Sequence, residues 1–216
     1  MALRLHYFAG PGRAEVSRLL FTIGGIPFED VGYSWETFAE FKPKTPFGQV
    51  PVLELPDGKM LAQSGAIDRY VAKLAGLYPE DPLQAALADQ VVFQLNDFMD
   101  LFTPTWTMEK DAKIKARQEI LAGKGKEKLQ ALAKVLEAAE AEGGYVAGGK
   151  LSFADVAVFV NLSGITSPIM DGIPAGLLDE YPVLKAFRNK IAKVPAIKAY
   201  YEKYGEGPRA SFQPDP

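Results

Sequence analysis

The sequence predicts two domains of different class, an α/β domain followed by an all-α helical domain. The 216 residues exceed the usual length of one domain but suit two compact ones. Strand and helix patterns alternate through the first part of the chain, whereas only helical periodicity follows. A stretch rich in proline and acidic residues separates the two parts. We therefore predict an α/β domain over residues 1–76, a linker over 77–82, a helical domain over 83–207 and an irregular tail over 208–216.

The first domain begins with a strand and an amphipathic helix. Apolar residues alternate over Leu3–Tyr7 as in a strand, and they recur at helical spacing over Val16–Ile23. The pair Gly24–Gly25 predicts the end of that helix. A second strand is expected near residues 28–32, and an irregular helix over about 35–41.

A hairpin and a third helix complete this domain. Pro56–Gly58 favours a tight turn, because proline fixes φ and glycine accepts positive φ, so residues 53–55 should pair with 59–61. Ser64 is predicted to cap a helix that runs to about Ala75. The order β-α-β-α-β-β-α makes the first strands parallel and adds an antiparallel edge, which is a thioredoxin-like layout.

The second domain shows helical periodicity throughout. Ser152 and Asp155 form a capping-box pattern, and the helix that they begin is apolar nearly all round over residues 156–162, which predicts the most buried helix. Two later helices are predicted over Pro182–Lys193 and Pro195–Tyr204, each with proline in its first turn. Two earlier helices are marked by apolar residues at helical spacing: Val92, Leu95, Met99 and Phe102, then Leu129, Leu132, Val135 and Leu136.

Composition narrows the class of function. A net charge of −3, with 48% hydrophobic and 24% charged residues, is typical of a soluble globular protein and disfavours nucleic-acid binding. The sequence has no apolar run of about 18 residues and no signal-peptide pattern, so we expect a cytoplasmic protein without a membrane partner. Zero cysteines and one histidine exclude a cysteine nucleophile and disfavour a metal site. Any thiol chemistry must therefore use the substrate's sulfur.

Five motifs run along the chain in a fixed order and spacing. They are Leu5-x-Tyr7-Phe8 with Gly12–Glu15; Pro46–Leu53; Gln63-Ser64 with Arg69-Tyr70; Leu95-x-Asp97-Phe98-Met99; and Ser152-x-x-Asp155. Over nearly the whole chain they resemble cytosolic glutathione transferases, most closely the sigma class that includes the haematopoietic prostaglandin D synthases. The resemblance implies the glutathione transferase fold, glutathione as co-substrate and a homodimer.

Two catalytic residues follow from the resemblance, Tyr7 and Arg13. It implies that the Tyr7 hydroxyl donates to the glutathione sulfur, and a donor aimed at an anion favours thiolate over thiol. A free thiol titrates near about 8.5, and lowering that pKa by two units corresponds to about 2.7 kcal/mol. One hydrogen bond to a charged acceptor contributes roughly 1.5–3 kcal/mol, so Tyr7 can supply most of it. Arg13, at the start of a helix near the same sulfur, is the second contributor.

The other glutathione contacts also come from the resemblance. Gln63 and Ser64 lie at a helix start, where free N–H groups suit a carboxylate. Pro51 matches a family cis-proline that lets the Val50 backbone pair with the peptide. The remaining predicted contacts are Lys42 for the glycyl carboxylate, Gln49, Phe38 and, from the neighbouring subunit of the homodimer, Asp97.

One position departs from the sigma pattern. The family tryptophan aligns with Phe38, whereas this chain has its tryptophan at Trp35, so an indole N–H donor to glutathione is either missing or supplied by Trp35. A lost hydrogen bond corresponds to roughly 1 kcal/mol. The acids expected for a divalent-ion site between subunits are also replaced, by Phe93 and Asn96, which argues against a metal.

The predicted function is glutathione transfer to a small hydrophobic electrophile held in an apolar cleft. The candidate cleft residues are Phe8, Met99, Phe102, Trp106 and Phe212. Two alternatives remain open: a glutathione-dependent isomerase of the prostaglandin-H2 D-isomerase type, and a non-catalytic ligand-binding or structural relative. The presence of Tyr7, Arg13 and Gln63-Ser64 favours an enzyme, whereas the changes near Asp97 disfavour the isomerase.

Overall fold

A computed structural model describes residues 2–215; Met1 of the predicted first domain and Pro216 of the predicted tail lie outside the described residues. The chain forms two compact units, Met1–Tyr78 and Pro79–Pro216, called here the first and the second unit. The first unit is α/β and the second is helical, which confirms the predicted fold class. The exact domain bounds stay a prediction.

The first unit is a four-stranded mixed sheet with helices. The sheet order is β2-β1-β3-β4; β1 runs parallel to β2 and antiparallel to β3, and β3 runs antiparallel to β4. Its elements are β1 (Leu3–Phe8), α1 (Glu15–Ile23), β2 (Phe28–Tyr33), α2 (Trp35–Phe41), β3 (Val52–Glu54), β4 (Met60–Ala62) and α3 (Ser64–Leu74), with short 3₁₀ turns at Gly12–Ala14 and Lys42–Lys44.

The core of the first unit lies where α1 and α3 pack on each other and α3 packs against β3 and β4. The apolar stripe of α1 is buried, as its periodicity predicts. Each fully buried side chain of this kind contributes about 1.5–3 kcal/mol through removal from water. The buried residues include Leu5, Leu19, Leu20, Leu53, Ile67 and Val71.

The predicted hairpin is present, but the predicted start of α3 is wrong by one residue. Leu53 pairs with Leu61 across the hairpin, and Gly58 has φ +84°, which a side chain would disfavour. At α3 the cap position is occupied by Gln63 with φ +72°, and Ser64 is the first helical residue. A positive φ at a non-glycine residue is rare and has no local sequence signature, so propensity alone favours serine as the cap.

The regular elements in the described part of the second unit are all helices. The most buried helix is α7, which packs against α4, α8 and the last 3₁₀ turn. The elements are α4 (Pro82–Asp100), α5 (Lys110–Ala122), α6 (Lys124–Glu140), α7 (Phe153–Ile165), α8 (Pro182–Ala192) and α9 (Pro195–Tyr204), with 3₁₀ turns at Thr103–Thr107, Leu177–Glu180 and Gly207–Phe212. The periodicity that extended to Phe102 overran the end of α4 by two residues.

The capping box at the start of α7 is confirmed. The Asp155 carboxylate accepts hydrogen bonds from Ser152 N at 2.7 Å, Ser152 Oγ at 2.6 Å and Val146 N at 2.7 Å. Burial raises the pKa of Asp155, while these donors act in the opposite direction. Asp155 therefore ties a loop to the helix start and serves folding.

The prediction of an irregular tail is wrong. Gly207–Phe212 is a 3₁₀ turn, and Phe212 is buried. The buried Arg188 guanidinium on α8 donates to the carbonyls of Ser211 and Gln213, and to Asp215 Oδ1 at 2.9 Å. These contacts join residues more than 20 positions apart, so local patterns do not reveal them. Among residues 2–215, the helices are all too short or too polar to cross a membrane.

Candidate functional site

A cavity of about 380 Å³ lies in the first unit, at the edge of the sheet where β1 and β4 end and β3 begins. The ends of β1 and β4 lie beside the start of β3 because β1 is antiparallel to β3 and β3 is antiparallel to β4. Its lining is Tyr7, Phe8, Arg13, Trp35, Phe38, Phe47, Gly48, Gln49, Val50, Pro51, Ala62, Gln63 and Ser64. The structure thus brings together nine of the ten predicted first-unit site residues; Lys42 is the exception.

The Tyr7 phenol stands at the end of β1 and faces the first turn after it. Its Oη accepts a hydrogen bond from the backbone N–H of Arg13 at 3.1 Å. Gly12 makes this close approach possible, since a Cβ there would lie 2.5 Å from Tyr7 Oη and its φ is +54°. Because Oη is the acceptor in this bond, its own hydrogen is directed elsewhere.

Arg18 supports the loop that carries this turn, and sequence reasoning missed it. Its buried guanidinium donates to the carbonyls of Gly10 at 2.7 Å and Pro11 at 3.1 Å. It also pairs with Glu15 at 2.9 Å and Asp30 at 2.8 Å. A charged residue on the apolar side of α1, three positions after an acid, was the signal that could have identified it.

An aromatic wall forms one side of the cavity. The Phe8 ring lies 4.4 Å from the Trp35 ring and 5.3 Å from the Phe38 ring, centroid to centroid. Trp35 and Phe38 are three residues apart on α2, so they share a face of that helix. Both residues therefore line the cavity, although 76% of Trp35 is exposed.

The segment 48–51 also lines the cavity. The Val50–Pro51 peptide bond is cis, as the resemblance implies. Pro51 is buried, whereas Gln49 is exposed at the cavity surface. Since β3 begins only at Val52, the Val50 backbone lies outside the strand ladder.

The start of α3 also lines the cavity. The Gln63 carbonyl accepts from Ala66 N and Ile67 N, both at 3.0 Å, and so begins the helix. Holding Gln63 at φ +72° costs on the order of 1–3 kcal/mol, a strain typical of functional sites. The unpaired N–H groups of a helix's first turn point out along its axis and attract anions.

Two predicted glutathione contacts lie away from the cavity lining. Lys42 is exposed, and its side chain passes 3.5 Å from where a Cβ on Gly48 would be. Asp97 is on α4 of the second unit, exposed, with its carboxylate 3.2 Å from Lys128 Nζ. Asp97 therefore forms an ion pair within its own helical unit.

The predicted electrophile residues differ in exposure. Phe102 and Phe212 are buried within the second unit, against Phe98 at 5.4 Å and Tyr201 at 5.2 Å respectively. Their assignment to a substrate site stays a prediction, but burial argues against it, because core contacts cover both rings. Met99 is half-buried, and Phe8 lines the cavity of the first unit.

Trp106 is the half-exposed member of this set. Its indole is 48% exposed and stacks on the buried Arg117 guanidinium, with 4.7 Å between Cζ and the ring centroid. Arg117 also donates to Thr105 Oγ1 at 2.9 Å, which fixes the turn that carries Trp106. Arg117 thus covers part of the indole, and about half of the residue stays exposed.

Comparison with known proteins places this chain in one family. The model of the glutathione S-transferase N-terminal domain matches residues 3–73, and that of the C-terminal domain matches residues 96–204. The chain is 37% identical to hematopoietic prostaglandin D synthase of Gallus gallus over 200 residues, which cover 93% of this chain and 95% of the relative. It is 34% identical to glutathione S-transferase 3 of Caenorhabditis elegans over 210 residues, 94% of this chain and 97% of the relative.

A solved structure gives the same result. The sigma class glutathione S-transferase of Fasciola hepatica superposes with a TM-score of 0.83 at 26% identity, over 96% of this chain and 98% of that one. The chain belongs to the glutathione S-transferase family. Within the family it is a glutathione transferase of the sigma-like type.

Proposed function

We propose that the protein joins the thiolate of glutathione to small hydrophobic electrophiles, and that the Tyr7 hydroxyl stabilises the thiolate. The observation that carries this proposal is the hydrogen bond from Arg13 N–H to Tyr7 Oη at 3.1 Å. It occupies an acceptor position of the phenol oxygen and leaves the hydroxyl hydrogen to be donated to a sulfur in the cavity.

The proposed reaction is nucleophilic attack by sulfur. The thiol proton passes to solvent, and the Tyr7 hydroxyl donates to the anion that remains. The sulfur lone pair then forms a bond to the electrophilic carbon, and a leaving group departs with its bonding electrons or a conjugated system accepts them. The Arg13 guanidinium adds positive potential near the sulfur.

The rest of glutathione would lie across the cavity. The Val50 backbone pairs with the cysteinyl moiety in the manner of an added strand. A carboxylate binds at the start of α3, by the N–H groups near Ser64 and the Gln63 side chain. Gln49 and Lys42 contribute at the glycyl end.

The proposed active form is a homodimer in the cytoplasm, with a role in detoxification. Asp97 of the partner subunit would reach the γ-glutamyl amine. Phe8, Met99 and Trp106 are kept as the candidate contacts of the electrophile. A monomeric mass in solution would remove the role proposed for Asp97.

A second candidate activity is glutathione-dependent isomerisation of a prostaglandin endoperoxide. It is favoured by the 37% identity to a protein named hematopoietic prostaglandin D synthase. Turnover of prostaglandin H2 to the D isomer at a rate comparable to conjugation would support this activity.

The test is conjugation of glutathione to a chromogenic dinitroaryl chloride by wild type and by Tyr7→Phe. We expect kcat/KM to fall roughly 10- to 150-fold, because a hydrogen bond to an anion worth roughly 1.5–3 kcal/mol is lost. Tyr33→Phe is the matched control: its hydroxyl bonds to His6 Nδ1 at 2.9 Å in the same sheet, and it does not line the cavity. Equal rates for Tyr7→Phe and wild type would overturn the proposal.

A further inference from the structure

A buried hydrogen bond joins α1 to α3 one helical turn behind the cavity. Ser17 Oγ on α1 donates to Asp68 Oδ1 on α3 at 2.5 Å, and both residues are buried. Ser17 follows the cavity residue Arg13 by one turn, and Asp68 follows the cavity residue Ser64 by one turn. The pair therefore joins α1, which follows the turn that carries Arg13, to α3, whose first residue Ser64 lines the cavity.

The other titratable groups of α3 do little to neutralise an Asp68 charge. Arg69 is adjacent in sequence and lowers the pKa of Asp68, but its Nη1 donates to the Gly65 carbonyl at 2.6 Å. Lys73, one turn further on, lies over the Tyr78 ring at 5.1 Å. Arg69 is thus the charged side chain that acts on Asp68, and its influence is smaller than that of burial.

The charged groups of the neighbouring elements are engaged elsewhere. On α1, Glu15 and Arg18 pair with each other at 2.9 Å. On β3, Glu54 accepts from Arg4 at 2.9 Å and from His6 at 3.0 Å. Burial lowers the pKa of His6. The strand β4 consists of apolar residues alone.

Asp68 is consequently a carboxyl whose neutral form suits the folded state. Burial raises its pKa to about 7, while the Ser17 hydroxyl and Arg69 act in the opposite direction. An unfolded aspartate titrates near about 3.9. The stability contributed by the protonated form is therefore complete below about pH 4 and is lost as pH rises to about 7. Above that pH, the α1–α3 contact must either hold a buried charge or open to hydrate it.

We propose that Ser17 and Asp68 form a protonation-dependent positioning pair for the glutathione site. The neutral pair holds α1 and α3 in the arrangement that shapes the cavity, and ionised Asp68 weakens glutathione binding. The identity of the ligand rests on the proposed function; the coupling between the two helices does not.

Linkage makes the proposal quantitative. If the cavity binds its ligand best when Asp68 is neutral, then ligand binding must in turn raise the proton affinity of Asp68 by the same factor. Binding near neutral pH therefore takes up a fraction of a proton from buffer. A residue that is merely structural would change stability without producing this proton uptake.

The experiment measures binding of S-methylglutathione by calorimetry between pH 6 and pH 8, because its sulfur has no proton to lose. We expect wild-type affinity to fall about fivefold over this range, with proton uptake at pH 7 in buffers of different ionisation enthalpy. Asp68→Asn should keep the pH 6 affinity throughout and take up no proton. Asp57→Asn, in the exposed hairpin turn of the same unit, is the control and should follow wild type.

Ser17→Ala tests the direction of the effect. Since the hydroxyl lowers the pKa of Asp68, its loss should move the fall in affinity to higher pH. Equal affinity at pH 6 and pH 8 in wild type, or the same fall in Asp68→Asn, would overturn the role of the pair alone. Failure of every variant to bind S-methylglutathione at any pH would overturn the glutathione site, and the role of the pair with it.

Discussion

Residues for a cavity in the first unit and aromatic residues in the second unit were both predicted from sequence as site residues. The structure brings the first set together, whereas the second set differs widely in exposure. The cavity residues converge around one space, although they come from several separate segments. The aromatic residues differ in solvent exposure: Phe102 and Phe212 are buried, whereas Trp106 is half-exposed.

The difference lies in what each residue type reports. The resemblance assigned Tyr7, Pro51 and Gln63-Ser64 together, as motifs in a fixed order, and the structure brings them around one cavity. An aromatic residue at helical spacing is compatible with core packing as well as with a substrate site, and core packing is the commoner case. Four substitutions test this contrast, beginning with the largest expected effect.

Phe212→Ala should destabilise the second unit by about 3–5 kcal/mol, the usual cost of emptying a buried aromatic site. The ring lies 5.2 Å from Tyr201 and 6.0 Å from Phe159. Chemical denaturation measures the loss, and S-methylglutathione affinity should stay unchanged under native conditions. Tyr204→Ala, at a site 47% exposed, is the control and should cost little. Unchanged stability with an increased KM for the electrophile would instead place Phe212 in the substrate site.

Gly12→Ala should lower kcat/KM about 100-fold, the scale expected when a catalytic group is displaced by about 1 Å. The new Cβ would lie 2.5 Å from Tyr7 Oη, and the alanine would have to adopt φ +54°. The matched control is Gly58→Ala, which has φ +84° but no atom within 4 Å, so it carries backbone strain without the clash. An equal fall in kcat/KM for the two variants would show that backbone strain, and not the Tyr7 position, controls the rate.

Local signals predicted most of the fold. The Pro56–Gly58 turn and the Ser152–Asp155 box depend on neighbours in sequence, and both are present as predicted. By contrast, α5 has a sparse apolar pattern and was not predicted, and the tail is fixed by Arg188 from a distant helix. Within the site, the resemblance supplied the polar contacts. Arg18 was missed, because its role depends on the fold that brings the Gly10 and Pro11 carbonyls to its guanidinium.

Gln63→Gly should stabilise the first unit by about 1 kcal/mol while weakening glutathione binding a few fold. Glycine adopts φ +72° without strain, so the gain comes from the backbone. The loss comes from the missing side-chain amide. Gln63→Ala separates the effect of the side-chain amide from that of the backbone strain, because it removes the amide but keeps the strain. Thermal unfolding and calorimetry measure both, and a gain in stability for Gln63→Ala would contradict the strain argument.

Phe38→Trp should have the smallest effect, a gain in glutathione affinity of about fivefold, which corresponds to one hydrogen bond of about 1 kcal/mol. Position 38 is half-buried on the cavity wall, where an indole N–H can be directed at a ligand, whereas Trp35 is 76% exposed beside it. Trp35→Phe should therefore change the affinity less than twofold. The opposite result, a marked loss in Trp35→Phe and no gain in Phe38→Trp, would mean that Trp35 already donates to glutathione. The aromatic wall would then bind through a specific hydrogen bond, like the polar side of the same cavity, and not by apolar contact alone.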